Sequence, residues 1–152
     1  MKYFKKLRDL LELFLSLDFD KMVYDVSITS EFQRFAIDLN TKEQLFKQGI
    51  NALGEDLASI GGSYSDYTIK IKIEDGLPYK FVTLYQSGNF YDSFEIEPFV
   101  GGFDIEADSD KENGDLVFRW GNEIVGLTDE NKSIIARYYL DQIRKNIKMK
   151  LV

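Results

Sequence analysis

FVTLYQSGNFYDSFEIEPF, residues 81–99, and GFDIEAD, residues 102–108, carry the pattern that decides the fold. From Phe94 onward apolar and polar residues alternate, the period of a strand with one buried face. The alternation breaks at Pro98 and Gly101-Gly102 and then resumes, so 94–99 and 102–108 read as an antiparallel pair. Upstream, Leu84, Phe90, Tyr91, Phe94 and Ile96 supply a dense apolar load, and Ser87-Gly88 offers a turn or a helix start. Phe90 and Phe94, four apart, share a face if the chain is helical there.

Outward toward the N-terminus, YSDYTIKIKIE (64–74) alternates from Thr68 to Ile73 and reads as a half-buried strand, although Ser65 is also placed to cap a helix. Asp75-Gly76 and Pro78 close it. Asn40 or Thr41 reads as the cap of a short helix over TKEQLFKQGI, with Gly49 near its end and a loop from Gly54 to Gly61-Gly62. Residues 20–39 fit no single period and read as a helix ending before a short extended piece. The first segment, MKYFKKLRDLLELFLSL, sets Phe4, Leu7, Leu11 and Phe14 on one helical face, with Leu10 and Leu17 adjoining. A helix covering its own core is the first reading of that stripe; docking on a neighbouring subunit and lying on a membrane surface are the others.

Outward in the other direction, SDKENGD reads as a loop, LVFRWG as a short amphipathic piece, and Gly126 as the close of a linker. Thr128 caps a last helix from Asp129 to near the C-terminus, lined by Ile134, Ile135, Tyr138, Tyr139, Ile143 and Ile147. Acid in its first turn and base in its last suit the helix dipole. The elements define an α+β fold: a small antiparallel sheet packed with several helices and a long C-terminal helix. One domain spans 1–152, with an N-terminal helical segment (1–39) available for subunit contacts, an α+β core (40–127) and the C-terminal helix (128–152).

Composition narrows the chemistry. There is no cysteine, so no disulfide, thiol nucleophile or thiolate metal site, and no histidine, so no imidazole base or ligand. An aromatic share of 14% is far above that of disordered chains. Residues 1–10 carry +3 and residues 137–152 carry +4, which leaves −14 for the remainder of a chain whose net charge is −7. Such a middle repels phosphates, which disfavours nucleic-acid binding. The basic N-terminus invites comparison with a signal peptide, but Asp9 and Glu12 interrupt the apolar region and no small-x-small site follows. No stretch approaches the roughly 20 apolar residues of a membrane span.

The acids supply the one enzymatic lead. Between residues 92 and 130 there are twelve acids against Lys111 and Arg119. Asp104, Glu106, Asp108, Asp110 and Glu112 recur at every second position and, in an extended chain, face one way. Asp108-x-Asp110-x-Glu112 is similar to the opening of a calcium loop, but Gly114 falls one place late and the twelfth position is Arg119 instead of glutamate. Gly61-Gly62 and Gly101-Gly102 belong to no phosphate-binding motif, and Ser87 lacks a nucleophile elbow. Lys70 and Lys72 beside Tyr67 and Tyr79 offer a small cationic spot.

One resemblance is specific. The ordered series G-x-Y-x-x-Y-T-x-x-x-K, then V-T-L-x-x-S-G-x-F-x-x-S-F, then an alternating strand pair and an acidic loop resembles the tail-completion proteins of tailed bacteriophages, within the wider minor-tail or virion-morphogenesis group. Tyr64, Thr68 and Lys72 match the first element; Leu84, Ser87, Gly88, Phe90, Ser93 and Phe94 match the second; Phe103 to Asp108 is the returning strand. Tyr64 stands where the family often has tryptophan, and Ser87 where threonine is common. The resemblance implies an α+β ring subunit at the head–tail junction, without catalytic residues or cofactors, and a helix rather than a strand over 65–74. It implies partnership with connector, portal-side or tail proteins and with further copies of itself, DNA passing without specific binding, and a virion location after assembly in the host cytoplasm. The 104–112 acids are then expected to face a lumen and the basic termini to face neighbours. Two other functions fit the acidity: a DNA-mimic inhibitor and a carboxylate-based, metal-dependent hydrolase.

Overall fold

The computed structural model describes residues 2–111 and 114–151. It is an α+β structure whose sheet is one antiparallel hairpin, β1 (Glu95–Phe99) and β2 (Gly102–Glu106). The register sets Glu95 opposite Glu106, Ile96 opposite Ile105, Glu97 opposite Asp104 and Phe99 opposite Gly102, in line with the alternation read from Phe94. Ile96 is buried while Glu95, Glu97, Asp104 and Glu106 are exposed, so one face packs inward and the other is acidic. A second, two-residue pair, β3 (Asp110–Lys111) with β4 (Gly114–Asp115), follows.

Helices α2 (Phe19–Ser27) and α3 (Ser30–Asp38) are separated only by Ile28 and Thr29, where an extended piece was expected. Asp18 and Thr29 cap them through Lys21 N and Phe32 N, so side-chain capping turns the chain without unwinding it. From Leu39 to Gln48 the helix continues as wider π turns, ending on Gly49 in the left-handed region. The expected cap at Asn40 or Thr41 is therefore absent, and the boundary drawn at 39/40 falls inside a continuous helix. Both side chains are buried and serve tertiary and intrahelical bonds instead.

The strand expected at 65–74 is a helix, α5 (Asp66–Glu74), capped by Ser65, whose side chain accepts from Thr68 N at 3.2 Å. Lys72 is buried and Ile73 is 53% exposed, the reverse of the alternating expectation. Helical spacing brings Thr68, Ile69 and Lys72 to the inner side, where Lys72 reaches Tyr85 O.

Around these lie α4 (Leu57–Gly61), α6 (Asn89–Asp92), α7 (Leu116–Trp120) and the long α8 (Asp129–Leu151), which Thr128 caps through Asn131 N as the sequence indicates. One apolar cluster gathers Leu45, Leu57, Val82, Phe90, Phe94 and Trp120 between the π segment, α4, α6 and α7. Another gathers Val26, Phe32, Ile96, Leu127 and Ile135 where α2, α3, the hairpin and α8 meet, and Ile37 and Ile105 pack against both. Buried amides tie the halves together. Asn40 Oδ1 accepts from Gly126 N at 2.7 Å, and Gln44 Oε1 accepts from Thr128 N and Asn131 Nδ2 while its Nε2 donates to Gly126 O. These side chains satisfy a linker backbone that has no ladder of its own.

Helix α1 (Lys2–Leu15) stands apart. It makes at most marginal contact with the rest of the described chain, and Phe4, Leu7, Leu11 and Phe14 remain 53–81% exposed. The stripe does not cover the core of its own chain, contrary to the first reading.

Candidate functional site: a pinned loop, an acidic face and an uncovered helix

Residues 82–85 have no regular secondary structure, yet Val82, Thr83 and Leu84 are buried. A buried irregular backbone needs partners for its polar groups, and side chains supply them. Thr83 N donates to Tyr64 Oη at 2.9 Å, Thr83 O accepts from Tyr91 Oη, and Tyr85 O accepts from Lys72 Nζ. Lys72 Nζ also stands 4.6 Å from the Tyr64 ring centroid, a cation–π contact in a desolvated setting. Held at both ends, Leu84 adopts φ +56, the one positive φ outside glycine among the described residues. Burial pushes the Tyr91 phenol far above the ordinary tyrosine range, and the Tyr64 and Tyr85 phenols add to the shift.

The resemblance residues are therefore largely one physical unit. Tyr64, Lys72 and Leu84 meet at the pinned loop, and Thr68 lines the same cavity of about 360 Å³. Gly88 starts α6 in the left-handed region, where an added Cβ would lie 3.2 Å from Tyr85 Oη. Phe90 and Phe94 make an edge contact at 5.1 Å within the core. Ser93 Oγ donates to Phe90 O and accepts from Asp108 N at 3.0 Å, fastening the end of α6 to the chain beyond β2. Ser87 is exposed, its Oγ accepting from Asn89 N. The cationic spot expected from Lys70 and Lys72 does not form, because Lys72 points into the core.

Sequence reasoning missed the neighbour of this unit. Arg119 Nε donates to Gly61 O at 2.6 Å with its guanidinium 4.5 Å over the Trp120 ring, and Trp120 Nε1 is buried against Gly61 without a partner among the described residues. A Cβ on Gly61 would lie 2.3 Å from that nitrogen, so this glycine makes room for an indole rather than for a phosphate. The amides Asn40, Gln44 and Asn131 were also missed; their only trace in the sequence is the four-residue spacing of Asn40 and Gln44.

Asp104, Glu106, Asp108 and Asp110 are all exposed, as the period predicts, and Glu112 lies outside the described residues. The register adds Glu95 and Glu97 to the same face, so two carboxylate pairs stand directly across the strands. Asp108 Oδ1 accepts from Asp110 N. Among the described residues no group of three or more acids converges to hold a metal ion, and no helix is long and apolar enough to cross a membrane. Compared with protein-family models, with curated proteins and with solved structures, the chain matches none.

Proposed function

We propose that this chain is a non-enzymatic structural protein of a tailed-bacteriophage virion, a ring subunit that completes the tail or connector at the head–tail junction. The observation that carries the reading is the convergence of Tyr64, Lys72, Leu84 and Phe90 on one buried loop and its core. The residues behind the resemblance act together in packing, with their polar atoms spent on backbone groups. Assembly also suits a chain whose first helix leaves a broad apolar stripe uncovered. In this role the acids at Asp104, Glu106, Asp108 and Asp110 face a lumen and repel DNA phosphates, the basic ends face neighbouring subunits, and the protein resides in the virion after assembly in the host cytoplasm. Gold-labelled protein incubated with phage particles and imaged by negative stain should mark the junction of head and tail. Label scattered over the particle, or absent from it, contradicts the proposal.

A second reading draws on the cross-strand carboxylate pairs, which place like-charged residues directly opposite one another on an exposed face. Such a face suits a DNA-mimic inhibitor. Competition with duplex DNA for a nuclease or polymerase would favour it.

A further inference from the structure

Three surfaces away from the pinned loop differ in how well their chemistry suits the α1 stripe. The outer face of the hairpin is acidic but offers only Phe99 as apolar floor. The C-terminal turns of α8 expose Met149 and Leu151, but Arg144, Lys145, Lys148 and Lys150 share the basic sign of α1. The groove between the π segment and the start of α8 combines a partly exposed apolar lining with an acidic rim. Phe35, Leu39 and Ile134 form its floor, Asp38, Glu43 and Glu130 line its rim, and its volume is about 510 Å³.

We propose that α1 of one copy seats in this groove of a second copy of the chain. Phe4, Leu7, Leu11 and Phe14 supply anchors at three- and four-residue steps, the spacing by which an amphipathic helix fills a groove between two others. Lys5, Lys6 and Arg8 flank those anchors and face the acidic rim. Among the described residues, Asp38 and Glu43 hold only exposed, within-helix pairs with Lys42 and Lys47, which yield readily, and Glu130 has no ion-pair partner. The exposed apolar residues of α1 supply a large part of the roughly 800 Å² that one side of a stable protein contact buries. One chain thus presents both halves of a contact and covers neither, and repeated head-to-tail the contact is able to close into a ring. The inference deepens the ring-subunit reading by naming its contact.

Two full-length variants test it in the absence of any virion protein. One carries Lys5→Glu, Lys6→Glu and Arg8→Glu; the other carries Glu43→Lys and Glu130→Lys. All changes are at the surface, and circular dichroism checks that each variant folds. Sedimentation of the wild-type chain up to about millimolar concentration should show concentration-dependent association. Each variant alone should associate at least about 10-fold more weakly at low salt, and an equimolar mixture should regain the wild-type mass, since reversed helix meets reversed groove. A groove variant that still self-associates at full strength points to α1 pairing with α1 and overturns the groove assignment. A wild-type chain that stays monomeric throughout overturns the contact as a whole, while the junction reading is judged separately by particle labelling.

Discussion

The ammonium of Lys72 lies 4.6 Å from the centre of the Tyr64 ring and donates to the carbonyl of Tyr85, with no carboxylate of the described residues within ion-pair distance. A buried lysine without a counter-ion is costly, and here an aromatic face and a backbone carbonyl offset that cost while fixing a strained turn.

Lys72→Met keeps the stem and removes the charge, leaving Tyr85 O unpaired. Chemical denaturation should show a loss of about 1–3 kcal/mol. A double-mutant cycle with Tyr64→Leu should return a favourable coupling of about 0.5–2 kcal/mol. Zero coupling would show that ring and ammonium are merely adjacent.

Gln44→Leu leaves Gly126 O and Thr128 N without their side-chain partner and strips one partner from Asn131. The expected cost is about 3 kcal/mol. Amide exchange should accelerate most at Thr128, whose N–H loses its acceptor, so uniform acceleration along the chain would argue against a local network.

Three buried or partly buried phenols set the alkaline limit. Burial raises Tyr91, Tyr138 and Tyr139, with nearby phenols adding at Tyr91, the Glu31 carboxylate adding at Tyr138, and the Ser27 hydroxyl partly opposing at Tyr139. A phenol whose folded pKa exceeds its unfolded value stabilises the fold fully below about pH 10, and that contribution is lost as pH rises toward the folded value. Stability should be flat with respect to these groups near neutrality and fall above about pH 10, with Tyr91→Phe reducing the slope. Phenolate absorbance equivalent to all nine tyrosines appearing before unfolding would contradict the buried placement.

Like charges oppose each other at Glu95–Glu106 and Glu97–Asp104. Glu97→Lys should therefore stabilise the hairpin by about 0.2–1 kcal/mol, and added salt should stabilise the unmodified chain more than the variant. Equal salt responses would mean that the paired carboxylates do not feel each other.

How much was legible in the sequence follows from the range of each interaction. The hairpin shows in the alternation through Phe94–Glu106, because each strand carries its own buried face. The last helix shows in the cap at Thr128 and in charges that suit the dipole. The segment 66–74 misleads, since Ile69, Ile71 and Ile73 mimic a strand while the deciding partner of Lys72 lies thirteen residues further on. Asn40 looks like a cap because its true partners, Ile124 and Gly126, are more than eighty residues away. The stripe on α1 is plain in the sequence, but only the folded chain shows that the other described residues leave it exposed.

The mass of the purified chain, by light scattering with negative-stain imaging, alone and mixed with phage head and tail extract, tests the account most directly. Closed rings, or a subunit that enters rings only when a neck or tail component is present, are the predicted result. A chain that stays monomeric and indifferent to every virion protein would contradict the proposed role and shift the weight to the DNA-mimic reading.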